Sequence, residues 1–237
     1  MREAAHERLA LYLSPEHPCG YLEGRTARTV FLDPQVTPQQ PLYTAFAAQG
    51  FRRSGSILYR PQCAECRACV PVRVPVQDFK PDRGQRRTWR RNRDLRVSLR
   101  PTEADPAHFD LYRRYLAARH PGGGMDVHTE ADYTGFLVSR WSHTVSAEWR
   151  LGERLLAVAV MDELDAALSA VYTFYDPASP ERSLGTQAIL WQIETARQRG
   201  LRWLYLGYWI AASRKMAYKD RFRPLERLVD GAWHRLE

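Results

Sequence analysis

Residues 145–210 carry the pattern that most restricts how this chain of 237 residues can fold. Two apolar-rich runs, VSAEWRL and RLLAVAVMDEL, flank a Gly-Glu pair, and this arrangement predicts a β-hairpin. The run AALSAVYTFYD predicts a third strand, which ends at an Asp-Pro pair. SLGTQAILWQIETARQRG then repeats apolar residues at helical spacing, and LRWLYLGYWI predicts a buried strand. Because one helix connects them, the last two strands should be parallel.

An antiparallel hairpin and a parallel crossover in one sheet predict the α/β class with a mixed sheet. This order of hairpin, strand, helix and strand is typical of an acyltransferase core of the GNAT type. We expect this catalytic core to occupy residues 101–237, with a soft boundary near residues 98–103. An N-terminal module rich in cysteine and arginine should occupy residues 1–100. The helix of the core should turn Ile189 and Ile193 inward.

Prolines punctuate the first hundred residues, so the elements there should be short. ILYRP and VPVRVPV predict strands bounded by prolines, and YTAFAAQGF predicts a short helix that stops at Gly50. After Pro101 the elements lengthen. Residues 105–119 predict a helix that presents Tyr112 and Leu116 on one face.

The composition excludes several classes of protein. A hydrophobic content of 44% with 11% aromatic residues is too high for a disordered chain. The longest purely apolar run is Leu155–Met161, whereas a membrane-spanning helix needs about 20 such residues. His6, Glu7 and Arg8 interrupt the brief apolar stretch near the N-terminus, which therefore does not resemble a signal peptide. We expect a cytoplasmic protein whose thiols stay reduced.

Residues 83–100 concentrate the positive charge, because they hold eight arginines and one acid in a chain of net charge +8. Four of these arginines recur at helical spacing around Trp89 and should form one cationic face. Guanidinium groups bind phosphates and an indole can stack on a base, so we expect contact with nucleic acid. The alternative is a solvated helix face, although such faces usually mix both signs of charge. The four arginines are Arg86, Arg87, Arg90 and Arg91.

Two further segments contain groups suited to a nucleotide-ended substrate. The turn RSLGTQ opens the amphipathic helix, and its free backbone N–H groups favour a phosphate or an oxyanion beside Arg182, Ser183 and Gly185. The alternative is a plain serine cap, with the glycine present for close packing. After the last strand, LGYWIAASRKMAYKDRF places Lys215 and Lys219 among aromatic residues.

Four cysteines form the third candidate site. Cys63, Cys66 and Cys69 follow one another at Cys-x-x-Cys-x-x-Cys spacing, and Cys19 lies upstream. Four thiolates are enough for a tetrahedral zinc ion or an iron–sulfur cluster. The alternative is four reduced structural thiols, because ordinary zinc sites pair two separated Cys-x-x-Cys units.

Six motifs between Cys19 and Trp233 together are typical of one family: CGYLEGRTARTVFLDP, GFRRSGSILYRPQCAECRACVPVRV, RRNRDL, VYTFYDP, SLGTQAILWQIETARQRGL and LYLGYWIAASRKMAYKDRFRPLE. On these motifs the chain resembles the bacterial aspartate/glutamate leucyltransferases, which are relatives of the eukaryotic arginyl-tRNA–protein transferases. This resemblance implies that Leu-tRNA donates leucine to the α-amine of proteins that begin with Asp or Glu. The new N-terminal leucine would mark those proteins for N-degron (N-end rule) degradation.

The resemblance also implies roles for single residues. Arg52 and Arg53, in GFRRSG, are expected to read the carboxylate of the acceptor. An aminoacyl ester is already activated, so the enzyme must mainly position the amine, accept its proton and stabilise an oxyanion. The candidates for this catalysis are Asp162, Asp176, Tyr172 and Tyr175, of which the tyrosines would line the cleft. The alternative for both aspartates is turn and strand-end chemistry.

The expected partners are an aminoacyl-tRNA and acidic N-termini of proteins, with neither a membrane nor DNA. The chemistry requires no cofactor. In the eukaryotic relatives the cysteine-rich region is associated with a metal or an iron–sulfur cluster, although the cysteine spacing of this chain differs. Three alternatives stay open: a noncatalytic RNA-binding protein, a coenzyme A-dependent N-acetyltransferase, and arginyl rather than leucyl transfer. The lack of an Arg/Gln-x-x-Gly-x-Gly/Ala loop argues against the acetyltransferase.

Overall fold

The computed structural model describes residues 9–119 and 129–237. Five α-helices lie in these ranges: α1 (Gln40–Ala48), α2 (Arg83–Arg91), α3 (Pro106–Arg119), α4 (Glu130–Leu137) and α5 (Leu184–Gln198). Two short 3-10 helices span Pro180–Arg182 and Ala217–Arg221. The strands are β1 (Leu11–Leu13), β2 (His17–Pro18), β3 (Thr26–Ala27), β4 (Thr29–Leu32), β5 (Arg52–Ser54), β6 (Ile57–Pro61), β7 (Val70–Pro75), β8 (Arg96–Pro101), β9 (Thr144–Leu151), β10 (Arg154–Leu164), β11 (Ala167–Tyr175), β12 (Trp203–Trp209), β13 (Leu225–Val229) and β14 (Ala232–Leu236). None of these helices is long and apolar enough to cross a membrane.

The central element is an eight-stranded sheet in the order β14-β13-β7-β12-β11-β10-β9-β8. Its β11–β12 pair is parallel and its other pairs are antiparallel, which confirms the predicted α/β class with a mixed sheet. Strand β7 lies between β12 and β13, and β8 forms an edge. The first hundred residues therefore supply two strands of this sheet. The division of the chain at residue 100 stays a prediction.

The elements predicted for the second half are confirmed. The hairpin is β9–β10, α5 follows β11, and β12 returns parallel to β11. In α5, Ile193 is 1% exposed and Ile189 is 6% exposed, as the helical spacing predicted. Burying one such side chain stabilises the fold by about 1.5–3 kcal/mol.

Helices cover both faces of the large sheet. On one face α5 and α2 pack over a core that includes Leu156, Leu168 and Leu204. On the other face α3 and α4 bury Tyr112 and Tyr133 in a second core. A smaller sheet in the order β1-β4-β6-β5 joins α1 in a third core.

The two parallel strands separate after a short contact. Ala167–Ser169 of β11 pair with Trp203–Tyr205 of β12, but β11 continues to Tyr175 and β12 to Trp209. On its other edge β12 pairs with β7 from Trp203 to Trp209, with a bulge between Tyr205 and Gly207, so beyond Tyr205 it stays with β7 and leaves β11. A cleft therefore opens between the C-terminal ends of two parallel strands, which is where α/β sheets commonly bind ligands.

Candidate active site

Arg52, from β5, reaches into this cleft. Its Nη2 donates hydrogen bonds to the carbonyl oxygens of Ala170 and Val171 in β11. Its Nη1 lies against Gly207, where an added Cβ would stand only 1.3 Å away. Gly207 has a φ of +75°, so both its conformation and the approach of Arg52 require glycine.

Lys219 is a second cation beside the cleft and is 5% exposed. Its Nζ donates a hydrogen bond of 2.6 Å to the carbonyl oxygen of Tyr208. Burial lowers the pKa of Lys219 well below its usual range, and the charge of Arg52 lowers it further. Within residues 9–119 and 129–237, no carboxylate lies within 4.0 Å of either cation. An arginine and a buried lysine without a counter-charge favour an anionic ligand, whose charge would raise the depressed pKa of Lys219 and hold the amine protonated.

Tyrosines form one wall of the cleft. Tyr115 stacks edge-on against Tyr175, with ring centroids 4.9 Å apart, and also contacts Tyr172. Arg119 donates a hydrogen bond of 2.8 Å to the phenolic oxygen of Tyr175. Tyr218 is 41% exposed and lies close to the charge of Arg52. Burial raises the pKa of Tyr115 and of Tyr172, so these two phenols are neutral at neutral pH.

The N-terminus of α5 faces the same wall. Gly185 lies against Tyr175, since an added Cβ would stand 3.1 Å from its Cε1. Ser183 adopts a left-handed conformation with φ 51° and leaves the first turn of α5 without a side-chain cap. Arg182 forms an ion pair of 2.8 Å with Asp94, so its guanidinium holds the turn to the segment after α2. The free N–H groups of the first helical turn make this end of α5 suitable for an anion.

Asp162 and Arg53 form a buried ion pair of 2.8 Å, with both side chains fully excluded from solvent. The hydroxyl groups of Tyr43 and Thr144 also donate to the carboxylate of Asp162, at 2.7 and 2.6 Å. Asp162 pairs in register with Ser169, at the end of β11 where the sheet is still closed. This geometry favours a structural role for both residues. Their predicted roles in catalysis and acceptor recognition stay predictions.

Asp176 lies at the other end of β11, beside the cleft, and is 1% exposed. It forms ion pairs with Arg154 and Arg114 and accepts a hydrogen bond of 3.1 Å from the N–H of Ala178. Burial alone would raise the pKa of Asp176, but the bonds from Ala178 and Arg154 hold it below its usual range. An ionised carboxylate with these partners is a weak proton acceptor. Its catalytic role stays a prediction.

The four cysteines gather beside the cleft as free, half-buried thiols. Burial and the proximity of Cys19, Cys63 and Cys66 raise the pKa of Cys69 to about 12, and Lys219 opposes this shift. A tetrahedral zinc site would place the sulfur atoms roughly 3.8 Å apart, given a Zn–S distance of about 2.3 Å. In the described chain no three of these sulfur atoms lie within 4.8 Å of one another. The donor set suits a metal but its spacing does not fit a zinc tetrahedron, so metal binding stays a prediction.

Asp105, His108 and Glu148 do lie within 4.8 Å of one another. Glu148 already accepts hydrogen bonds from Nε2 of His108 at 2.8 Å and from Nε of Arg150 at 2.9 Å. Its charge is therefore offset within the protein. The cluster joins α3 to β9 and offers no excess of negative charge for a cation.

The predicted arginine helix is α2, which begins at a capping box formed by Asp82 and Gln85. Thr88 and Asn92 are buried, and Nδ2 of Asn92 donates to the carbonyl oxygen of Arg182 at 2.8 Å. The opposite side of α2 exposes the four predicted arginines, although Arg91 also donates to the carbonyl oxygen of Glu181. Their contact with RNA stays a prediction, as does that of the exposed Lys215.

Sequence reasoning missed four components of the site: Gly207, Tyr115, Arg119 and Tyr218. An isolated glycine inside a buried strand signals a bulge or a close backbone approach, so Gly207 could have been found. Tyr115 lies on α3, but neither it nor Arg119 stands out in the sequence, because their meeting with Tyr175 depends on packing across the sheet.

Residues 107–229 match the family model described as the C terminus of arginine-tRNA-protein transferase, and residues 17–87 match the model of its N terminus. The chain belongs to the arginine-tRNA-protein transferase family. A relative from Nitrosococcus oceani, an aspartate/glutamate leucyltransferase, is 51% identical over 94% of each chain. A second leucyltransferase, from Hahella chejuensis, is 48% identical over 95% of this chain and 96% of its own. Family membership, predicted from the sequence motifs, is confirmed.

The family is one of aminoacyltransferases, so this chain is an enzyme of that class with an aminoacyl-tRNA and a protein as substrates. Solved structures resemble it only distantly. L-PGS from Bacillus licheniformis has a TM-score of 0.49 and 10% identity, covering 71% of this chain and 58% of its own. FemX has a TM-score of 0.46 and 7% identity, covering 84% of this chain and 79% of its own.

Proposed function

We propose that this protein transfers leucine from Leu-tRNA to the α-amine of proteins that begin with Asp or Glu. The observation that carries the proposal is the near-complete alignment with aspartate/glutamate leucyltransferases at about half identity. The product would be an N-terminal leucine that marks the acceptor for degradation, with the reaction taking place in the cytoplasm.

The donor binds with its aminoacyl ester in the cleft between β11 and β12. The first turn of α5, at Ser183 and Gly185, offers N–H groups to the phosphate of the terminal adenosine. Arg182 positions this turn through its ion pair with Asp94. The predicted arginines of α2, Arg86, Arg87, Arg90 and Arg91, bind the RNA backbone further away.

The acceptor carboxylate binds between Arg52 and Lys219. Both cations lie at the cleft without a carboxylate partner in the described residues, and an Asp or Glu side chain supplies the missing charge. Arg52 keeps part of its donor capacity for the sheet carbonyl oxygens of Ala170 and Val171. Lys219 is thereby assigned to the acceptor rather than to the donor.

The reaction requires an unprotonated amine. An α-amino group has an ordinary pKa of about 8, and nearby cations lower the pKa of an amine. Arg52 and Lys219 would therefore favour the neutral, nucleophilic form. The nitrogen forms a bond to the ester carbonyl carbon, and the bond to the ribose oxygen breaks. The leaving oxygen takes up the proton lost by the amine.

The phenols supply hydrogen bonds to the developing oxyanion. Tyr175 lies between the α5 N-terminus and Arg119, and Tyr218 lies close to Arg52. Tyr172 packs deeper, against Tyr112 and Phe136, and shapes the wall. Positioning and electrostatic stabilisation suffice for an activated ester, so no separate general base is invoked.

The test uses labelled Leu-tRNA and peptides that begin with Asp, Glu, Asn or Ala. We expect label transfer to the Asp and Glu peptides alone. Arg-tRNA, carrying the same label, tests the alternative donor. Binding of tRNA without any transfer would support a noncatalytic RNA-binding protein, and acetyl transfer from acetyl-coenzyme A would support the acetyltransferase.

A further inference from the structure

A groove lies between α2 and α5. On α5 it begins beyond the first turn, where Gly185 contacts Tyr175 of the tyrosine wall. Its volume is about 460 Å³, within the range of sites for small ligands. Phe79, Leu190 and Ile193 form an apolar floor, and Trp89 adds an aromatic side chain. Arg86 and Arg90 belong to the same lining.

The groove follows from how the two helices meet. Positions 86, 89 and 90 of α2 line the groove at i, i+3 and i+4, and position 93 follows just after the helix. On α5 positions 190, 193, 194 and 197 recur at i, i+3, i+4 and i+7. The helices run antiparallel. Asn92, after the end of α2, binds the carbonyl oxygen of Arg182 before α5, and Arg197, near the end of α5, binds that of Phe79.

The groove carries unbalanced positive charge. Arg197 is paired with Glu194 at 2.9 Å. Arg86, Arg90 and Arg93 have no carboxylate within 4.0 Å in the part of the chain that the structure describes. An indole beside unpaired guanidinium groups matches a nucleotide, whose base stacks while its phosphate pairs with arginine. An apolar peptide would leave these guanidinium groups without a counter-charge.

The groove also lies at a suitable distance from the cleft. Leu190 is six residues beyond Leu184, where α5 begins, which corresponds to a rise of about 9 Å. Arg197 lies about 20 Å along the same axis. The nucleotides next to a terminal adenosine held at the N-terminus of α5 would reach this distance.

We infer that the groove binds the unpaired nucleotides that precede the 3′-terminal adenosine of the aminoacyl-tRNA. One base stacks on Trp89, and the adjoining phosphates pair with Arg86 and Arg90. This inference rests on the proposed function, because it takes the position of the terminal adenosine from it. It assigns the groove to single-stranded RNA rather than to the acceptor protein.

The test compares leucyl donors of graded length: leucyl-adenosine, a leucyl-oligonucleotide ending in CCA, and Leu-tRNA. Trp89→Ala should raise the KM of the two longer donors by about tenfold and leave the KM of leucyl-adenosine unchanged. Arg90→Ala should do the same more weakly, and Trp89→Phe should retain most of the affinity. Arg83→Ala removes a charge from α2 outside the groove and serves as the control.

Three outcomes would overturn the inference. An equal rise in KM for leucyl-adenosine would show that Trp89 acts by supporting the cleft. A rise in the KM of the acceptor peptide would assign the groove to the protein substrate. An unchanged KM for every donor, in both Trp89→Ala and Arg90→Ala, would leave the groove without RNA. Binding of the uncharged oligonucleotide, followed by tryptophan fluorescence against Trp89→Phe, tests the groove even if the wild-type enzyme transfers no leucine.

Discussion

Replacing Lys219 by methionine tests the assignment of the acceptor site. The side chains are similar in length, so the change removes the charge and the hydrogen bond to Tyr208 while largely keeping the packing. A hydrogen bond between charged groups contributes about 1.5–3 kcal/mol. We therefore expect the KM for a peptide beginning with Asp to rise about 10- to 150-fold.

The decisive measurement is selectivity. A peptide beginning with Asn has the shape of the Asp peptide without its charge, so the wild-type preference for Asp should collapse in Lys219→Met. The KM for Leu-tRNA should not change, and Lys80→Met, at an exposed position, is the control. If the folded variant keeps its full Asp-over-Asn preference, the acceptor carboxylate does not bind at Lys219.

The same variant reports on pH. The pKa of Lys219 is lower in the folded state than in the unfolded chain, so the unfolded chain binds more protons between the two values. The stability contributed at this position therefore rises as pH increases through that window toward the ordinary lysine pKa of about 10.4. Between pH 8 and pH 10, the free energy of unfolding of the wild type, measured with denaturant, should increase relative to that of Lys219→Met. A constant difference would contradict a buried, charge-depressed lysine.

Three further predictions follow from the geometry. Arg53→Met should cost about 3–5 kcal/mol in urea unfolding because it leaves Asp162 buried without its partner, and a changed acceptor KM in the folded variant would instead place Arg53 at the acceptor. Gly207→Ala should displace Arg52 and lower kcat/KM. The control is Gly200→Ala, because Gly200 has a similar positive φ but open space around it, so this change should affect stability alone. Equal losses of activity in the two variants would refute the contact between Arg52 and Gly207. Alanine substitution of the exposed arginines of α2 should flatten the salt dependence of tRNA binding measured by filter retention, and an unchanged slope would place the RNA elsewhere. These arginines are Arg86, Arg87, Arg90 and Arg91.

Local patterns in the sequence predicted the elements well. The hairpin, α5 and the parallel return to β12 follow from periodicity within single segments. The sequence also predicted the arginine face of α2, because a helix and its exposed charges are local features.

Contacts between distant segments could not be predicted in this way. Arg53 and Asp162 are 109 residues apart, and nothing in either segment indicates that they neutralise each other. The meeting of Lys219 with Arg52 and Cys69 similarly depends on the packing of β5 and the cysteine segment against the end of β12. The cleft opens where the pairing of β11 with β12 ends, next to the bulge of β12 against β7, and in the sequence only the glycine at position 207 signals that bulge.

The place of β7 in the sheet has a consequence for synthesis. Its two partners are β12 and β13, so β7 emerges from the ribosome long before either exists. From Pro75 to Trp203 the ribosome must add well over a hundred residues, which takes roughly 6–26 s at about 5–20 residues per second. During that time an apolar strand waits with both edges open. The edges that another chain would use are interrupted by Pro71, Arg73 and Pro75. These residues disfavour pairing of β7 with other nascent chains translated from the same mRNA.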